Sequence, residues 1–193
     1  MSTTPTAAIG RTVTRGAVGG MIAGAAMAMF AMIASVTYQH HGFFTPLFHI
    51  SALFGSPDAM MRSVAEAMEG SRFWFDLGPA ALGMIIHMMT GAMFGIGFAF
   101  LADRLPRRSL VGAGALYGLA VYAMSAFVLL PIAASITGSG DVIADMATMV
   151  GHGTFAVEHV LFGVVLGAVA LRHRTADSAP EATTTARSAM LTQ

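Results

Sequence analysis

Four stretches of this chain, about 16–38, 79–101, 110–130 and 153–171, each run for roughly twenty residues without an aspartate, lysine or arginine in their interiors. About 20 apolar residues in a helix cross a hydrocarbon core of about 30 Å. Backbone polar groups in lipid must be satisfied within the segment, so such stretches form helices. The rest of the composition points the same way: 55% of residues are hydrophobic, 10% are charged and the mean hydropathy is +0.70. Soluble domains carry about 25% charged residues. A soluble fold this poor in charge would expose large apolar patches and associate. The expected fold is therefore an all-α integral membrane four-helix bundle over residues 11–174. Tails at 1–10 and 175–193 are rich in Thr, Ser and Ala, and they lack the apolar bulk that would order them.

Arg11 and Arg15 ahead of the first apolar stretch resemble a signal peptide. The stretch is longer than a signal core of about 7–15 residues, and no small-x-small cleavage site follows it, so it reads as a membrane span. Arginine placement orients the bundle. Arg11 and Arg15 precede span one, Arg104, Arg107 and Arg108 lie between spans two and three, and Arg172, Arg174 and Arg187 follow span four, so eight of ten arginines share one side. Only Arg62 and Arg72 lie on the other. Both termini are expected in the cytoplasm, and the lipid environment is that of a bacterial inner membrane.

The loop from about His40 to Leu77 contains a helix of its own, because Ser56-Pro57 is a helix-start signal and Gly70 a stop. Met60, Met61, Val64 and Met68 form an apolar stripe opposite Arg62, Glu66 and Glu69. That pattern suits a short amphipathic helix on the outer surface or capping the bundle. A similar short element is expected between Asp141 and Val150, before Gly151-His152-Gly153.

The spans read as two repeated helix pairs. Span two carries Gly83, His87, Gly91, Gly95 and Ala99 at four-residue intervals, and span four carries His159, Gly163 and Gly167. Residues four apart share a helix face. Spans one and three match more loosely, with Gly16, Gly20, Gly24 and Ala28 set against Gly114, Gly118, Tyr122 and Ala126. Small residues at this spacing let two backbones approach in lipid, where apolar burial gives no net drive. Gly20, Gly24, Gly91, Gly95, Gly114, Gly118, Gly163 and Gly167 are therefore the expected packing residues. His87 and His159, on the same faces, are expected to point at protein.

The chain resembles the small four-span bacterial membrane proteins that include the YagU-like group. The resemblance rests on Gly19, Gly20 and Gly24 in span one, Pro46 after it, His87 to Gly95, the Gly114 to Pro131 span ending in Leu130-Pro131, and His159-x-x-x-Gly163. It covers about residues 16–172 and implies the topology alone.

Absent residue types narrow the chemistry. There are no cysteines, which removes disulfides, thiolate metal sites and cysteine nucleophiles. There is no phosphate-binding loop, no His-Glu-x-x-His and no serine elbow. No basic stripe exists for nucleic acid. Of seven histidines, His40, His41, His49, His87, His152 and His159 fall in the outer half and His173 on the cytoplasmic side. His87, His159 and His152 are candidate ligands for zinc, copper or haem, although the commoner reading is that histidines beside glycines bond a carbonyl on the next helix. Glu158, the sole carboxylate near a span interior, is a candidate proton relay or cation site. It lies roughly 100° around the helix from His159 and is expected on a different face. Sixteen methionines suit packing better than copper binding.

A non-enzymatic structural or accessory bundle without a cofactor is the first expectation, with homo-oligomerisation or a membrane partner protein open. A metal- or haem-binding protein and a small proton-coupled transporter are the alternatives.

Overall fold

A computed structural model describes residues 5–190 of the chain. All regular structure among the described residues is helical. Nine α-helices follow in chain order: α1 (Pro5–Thr37), α2 (Thr45–Ser51), α3 (Asp58–Met68), α4 (Leu77–Ala102), α5 (Leu110–Met124), α6 (Leu130–Thr137), α7 (Asp141–Ala144), α8 (Met146–Val150) and α9 (His152–Met190). A 3-10 turn (Arg107–Ser109) leads into α5, and a π-helical turn (Ser125–Leu129) joins α5 to α6. Four stretches, Ile9–Thr37, Leu77–Ala102, Arg107–Thr137 and His152–Thr175, are long and apolar enough to cross a membrane. The protein is a multi-pass, all-α membrane bundle. The start of the first span and the end of the fourth share one face, termed the terminal face; α2, α3, α7 and α8 cover the other, termed the cap face.

Helix α1 begins at Pro5 and α9 runs to Met190, within the segments expected as terminal tails. A helix already nucleated by a membrane span gains one hydrogen bond for each residue added. Residues 1–4 and 191–193 of those tails lie outside the described residues.

The third span is longer than expected. Its apolar run was taken to stop at Leu130, before Pro131, yet the helix passes through the proline to Thr137. Proline lacks the N–H that would bond the carbonyl four residues back, and its ring crowds that carbonyl. The π turn at Ser125–Leu129 falls in the segment that holds this carbonyl, and it widens the helix there instead of ending it.

Two antiparallel pairs make the bundle, α1 with α4 and α5 with α9. In the first, a Cβ on Gly20 would collide with the carbonyl oxygen of Gly91, and a Cβ on Gly95 with that of Gly16. In the second, a Cβ on Gly114 would collide with the carbonyl of Gly163, and one on Gly167 with that of Leu110. Higher in each pair, Gly24 faces His87 and Gly118 faces His159. The structural repeat thus equates Gly20 with Gly114 and Gly24 with Gly118. This is one helical turn away from the sequence match of Gly16 with Gly114. Glycines recurring every four residues fit equally well after a one-turn slip, and only the partner helix fixes the register.

The pairs join unequally. Helix α1 packs against α9 as well as α4. The counterpart seam, α4 against α5, is held near the terminal face by the Tyr117 hydroxyl donating to the Phe94 carbonyl at 2.8 Å. The Tyr117 ring also lies 5.3 Å from that of Phe98. Terminal-face packing centres on Ala23, Phe98, Leu110, Phe162 and Leu166. There Arg174 donates to the carbonyls of Leu105 and Ala102 at 2.6 and 2.8 Å, which satisfies the last turn of α4.

On the cap face, α2 inserts into the bundle, a helix that the loop composition did not lead us to expect. A Cβ on Gly83 of α4 would collide with the carbonyl of Leu47, and Phe48 is fully buried. Thr45-Pro46 was the available signal, since proline in a first turn costs no hydrogen bond. Helix α3 forms where expected. Ala59, Ser63 and Ala67 are buried, whereas Met61 and Met68 of the expected apolar stripe are exposed. Small residues allow close approach, and the Ser63 hydroxyl hydrogen-bonds that of Thr45 at 2.8 Å.

Candidate functional site

Between the cap-face and terminal-face cores lies a cavity of about 450 Å³. Its inner wall is α1 and α9, its sides are α4 and the π turn with α6, and its roof is α2, α7 and α8. Most of the lining is hydrocarbon, including Met27, Leu47, Ile86, Phe94, Leu129 and Phe162. The polar groups on the wall are few, and three of them, His87, Glu158 and His159, belong to the membrane spans' ionisable residues.

The cavity reaches the perimeter of the bundle on one side. Met93 of α4 and Ile132 and Ile136 of α6 line it and are also 57%, 51% and 79% exposed. This is the edge where α4 and α6 splay above the Tyr117–Phe94 contact. In a membrane, that edge faces acyl chains.

His87 and His159 occupy corresponding places in the two pairs, and their rings are held differently. The His87 Nε2–H donates across to the Gly24 carbonyl at 3.0 Å. The His159 Nδ1–H donates down its own helix to the Phe155 carbonyl at 2.7 Å, and its ring packs against that of Phe155 at 4.5 Å. A carbonyl can only accept, so each ring nitrogen facing one must carry the proton. As neutral rings, His87 then presents Nδ1 and His159 presents Nε2 as acceptors.

Glu158 is 5% exposed and lines the same cavity. Among the described residues its carboxyl has no hydrogen-bond or ion-pair partner. Glu158 and His159 lie on different faces of α9, as expected, and both still reach the cavity. Adjacent helical residues do diverge by about 100°, but a cavity that wraps part of α9 takes both.

His152 stands apart from this group. It is not on the cavity wall; its Nδ1 meets the Tyr122 hydroxyl at 3.1 Å, and its ring stacks on Phe127 at 5.7 Å. The three imidazoles expected to converge are thus two in the cavity and one outside it. Among the described residues, no group of three or more His, Cys, Asp or Glu is placed to hold a metal ion.

The roof is tied by His49 of α2. It is buried, and its Nε2–H donates to the Val142 carbonyl at 2.7 Å, linking α2 to α7. Burial holds its imidazole below the usual 6.5, the Val142 carbonyl opposes that, and the nearby His41 lowers it further. The packing glycines Gly20, Gly24, Gly91, Gly95, Gly114, Gly118, Gly163 and Gly167 lie along the two internal seams below and beside the cavity. The π turn contributes Ser125 and Leu129 to the wall and gave no sequence signal beyond Pro131.

These features define a four-span helical membrane bundle with an intramembrane cavity. Compared with protein-family models, with curated proteins and with solved structures, the chain has no match.

Proposed function

We propose that this protein binds an amphiphile drawn from the bilayer, acting without catalysis in a bacterial inner membrane with both termini in the cytoplasm. The topology rests on the arginine distribution and the resemblance to the YagU-like group. One observation carries the binding reading: the apolar cavity at membrane depth extends to the lipid-facing edge between α4 and α6. Its volume of about 450 Å³ falls in the range of about 300–1,000 Å³ that suits small-molecule sites, which are mostly apolar with a few placed polar groups. No nucleophile is paired with a base on its wall, which favours binding or carriage over catalysis.

The test is saturable binding of deuterated dodecanol to the protein in phosphatidylcholine nanodiscs, read by mass spectrometry. Ala133→Phe places a ring in the cavity and should abolish the saturable component while leaving the protein folded. Equal uptake by both proteins, or none by either, overturns the reading. The metal or haem alternative draws on His87 and His159 alone, since His152 lies elsewhere. Metal analysis and an absorption spectrum of the same preparation decide it.

A further inference from the structure

The polar end of the cavity offers acceptors and a carboxyl but little to satisfy them. Glu158 is nine-tenths buried and unpartnered among the described residues. His87 and His159 each commit their N–H to a backbone carbonyl, leaving a lone pair on the other nitrogen. The wall adds the hydroxyls of Thr90 and Ser125, of which Thr90 already donates to the Ile86 carbonyl at 2.9 Å. The Glu158 oxygens are not enclosed in protein but open onto the cavity, where a proton, or a cation that donates hydrogen bonds, can reach them.

Two imidazole lone pairs and a carboxylate also make a metal-ligand set by chemistry. Among the described residues no group of three or more such ligands is placed to hold one ion. An occupant that suits this wall carries N–H donors at one end and a chain that fills the hydrocarbon part.

We infer that the cavity selects a long-chain primary amine, its ammonium group seated against Glu158 between His87 and His159 and its chain lying toward the gap between α4 and α6. This rests on the binding function proposed above and specifies the head group. A fatty acid brings acceptors to acceptors and is excluded by like charge. A quaternary ammonium brings charge without N–H.

The experiment uses the full chain in phosphatidylcholine nanodiscs and compares dodecylamine, dodecanol, dodecyltrimethylammonium and dodecanoate. Dodecylamine should bind at least about tenfold more tightly than the other three, as expected for a charge-assisted hydrogen bond over a neutral one. Glu158→Gln should remove the advantage of dodecylamine over dodecanol. Equal binding of amine and alcohol to the unmodified protein overturns the head-group assignment while leaving the cavity reading intact. Equal binding of amine and trimethylammonium also overturns it, by removing the N–H requirement. Failure of all four chains to bind saturably overturns the cavity reading as well. Ala133→Phe should abolish binding of all four without altering the melting profile.

Discussion

Gly118 stands so close to His159 that a methyl group on the glycine would run into the histidine's carbonyl oxygen. The same seam brings Gly114 against Gly163, and the other pair repeats it with Gly20 against Gly91. Backbone is what each glycine meets, and backbone cannot swing aside as a side chain can.

Gly118→Ala and Gly163→Ala are each expected to destabilise the protein by about 1–3 kcal/mol, the usual range for overpacking. Gly112→Ala is the control: nothing lies within 4 Å of the added carbon. It should be neutral or stabilising by up to about 1 kcal/mol, the propensity difference in a helix. Thermal unfolding in a mild detergent measures all three.

Glu158→Leu is expected to stabilise the ligand-free protein by about 1–3 kcal/mol, because it replaces a carboxyl that opens onto a mostly apolar cavity without a partner among the described residues. The same change should eliminate amine binding. A variant that melts lower than the parent would show that the carboxyl is satisfied in the membrane by something already present.

His87→Ala removes the ring that bonds the Gly24 carbonyl across α1 and α4. Interhelical hydrogen bonds in membranes average about 0.6 kcal/mol and reach about 1.7, so a loss within that span is expected. His87→Gln, which keeps an N–H donor, should recover part of it. A drop well beyond that range would indicate that His87 also carries a load inside the cavity.

The roof makes stability depend on pH. Folding holds His49 below the usual 6.5, so below that value the unfolded chain binds more protons than the folded one, and stability falls as pH falls. The contribution is complete above about pH 6.5 and declines through the lower folded value, by at most about 1.4 kcal/mol per pH unit for one group. His41, lowered by burial and by its neighbour His40, acts in the same direction. Melting temperatures from pH 8 to pH 5 should drop, and His49→Gln should flatten the curve.

His40, three residues past the end of α1, has a φ of 59°, a left-handed conformation. That geometry costs a residue with a Cβ about 1–2 kcal/mol and glycine very little. His40→Gly should therefore raise the melting temperature, provided its ring has no other role; an unchanged or lower value would reveal one.

The spans and their pairing were legible because lipid demands length, low charge and small residues at contact points, and Gly91, Gly95, Gly163 and Gly167 carry that demand openly. The register of the pairs was not, since a four-residue repeat matches itself after a turn. Helix α2 was hidden because its seven residues, Thr45–Ser51, are too few to show a period, although Thr45-Pro46 marked its start. For α3 the sequence left open whether its apolar stripe met the membrane surface or the bundle; the face packed on the bundle is Ala59, Ser63 and Ala67, whose small side chains allow close approach. Glu158 stood out as the one intramembrane carboxylate, but its neighbourhood depended on the splay of α4 from α6. No periodicity encodes that gap. Its nearest trace is Pro131, and the π turn beside it was invisible.

The uneven joining of the two pairs has a mechanical consequence. Within each pair the backbones touch, so the pairs behave as stiff slabs. Between them, α1 against α9 forms a closed spine, while the opposite edge is pinned at one end by Tyr117. On the binding reading proposed above, a guest would enter sideways through that edge, where no helix has to leave its mate.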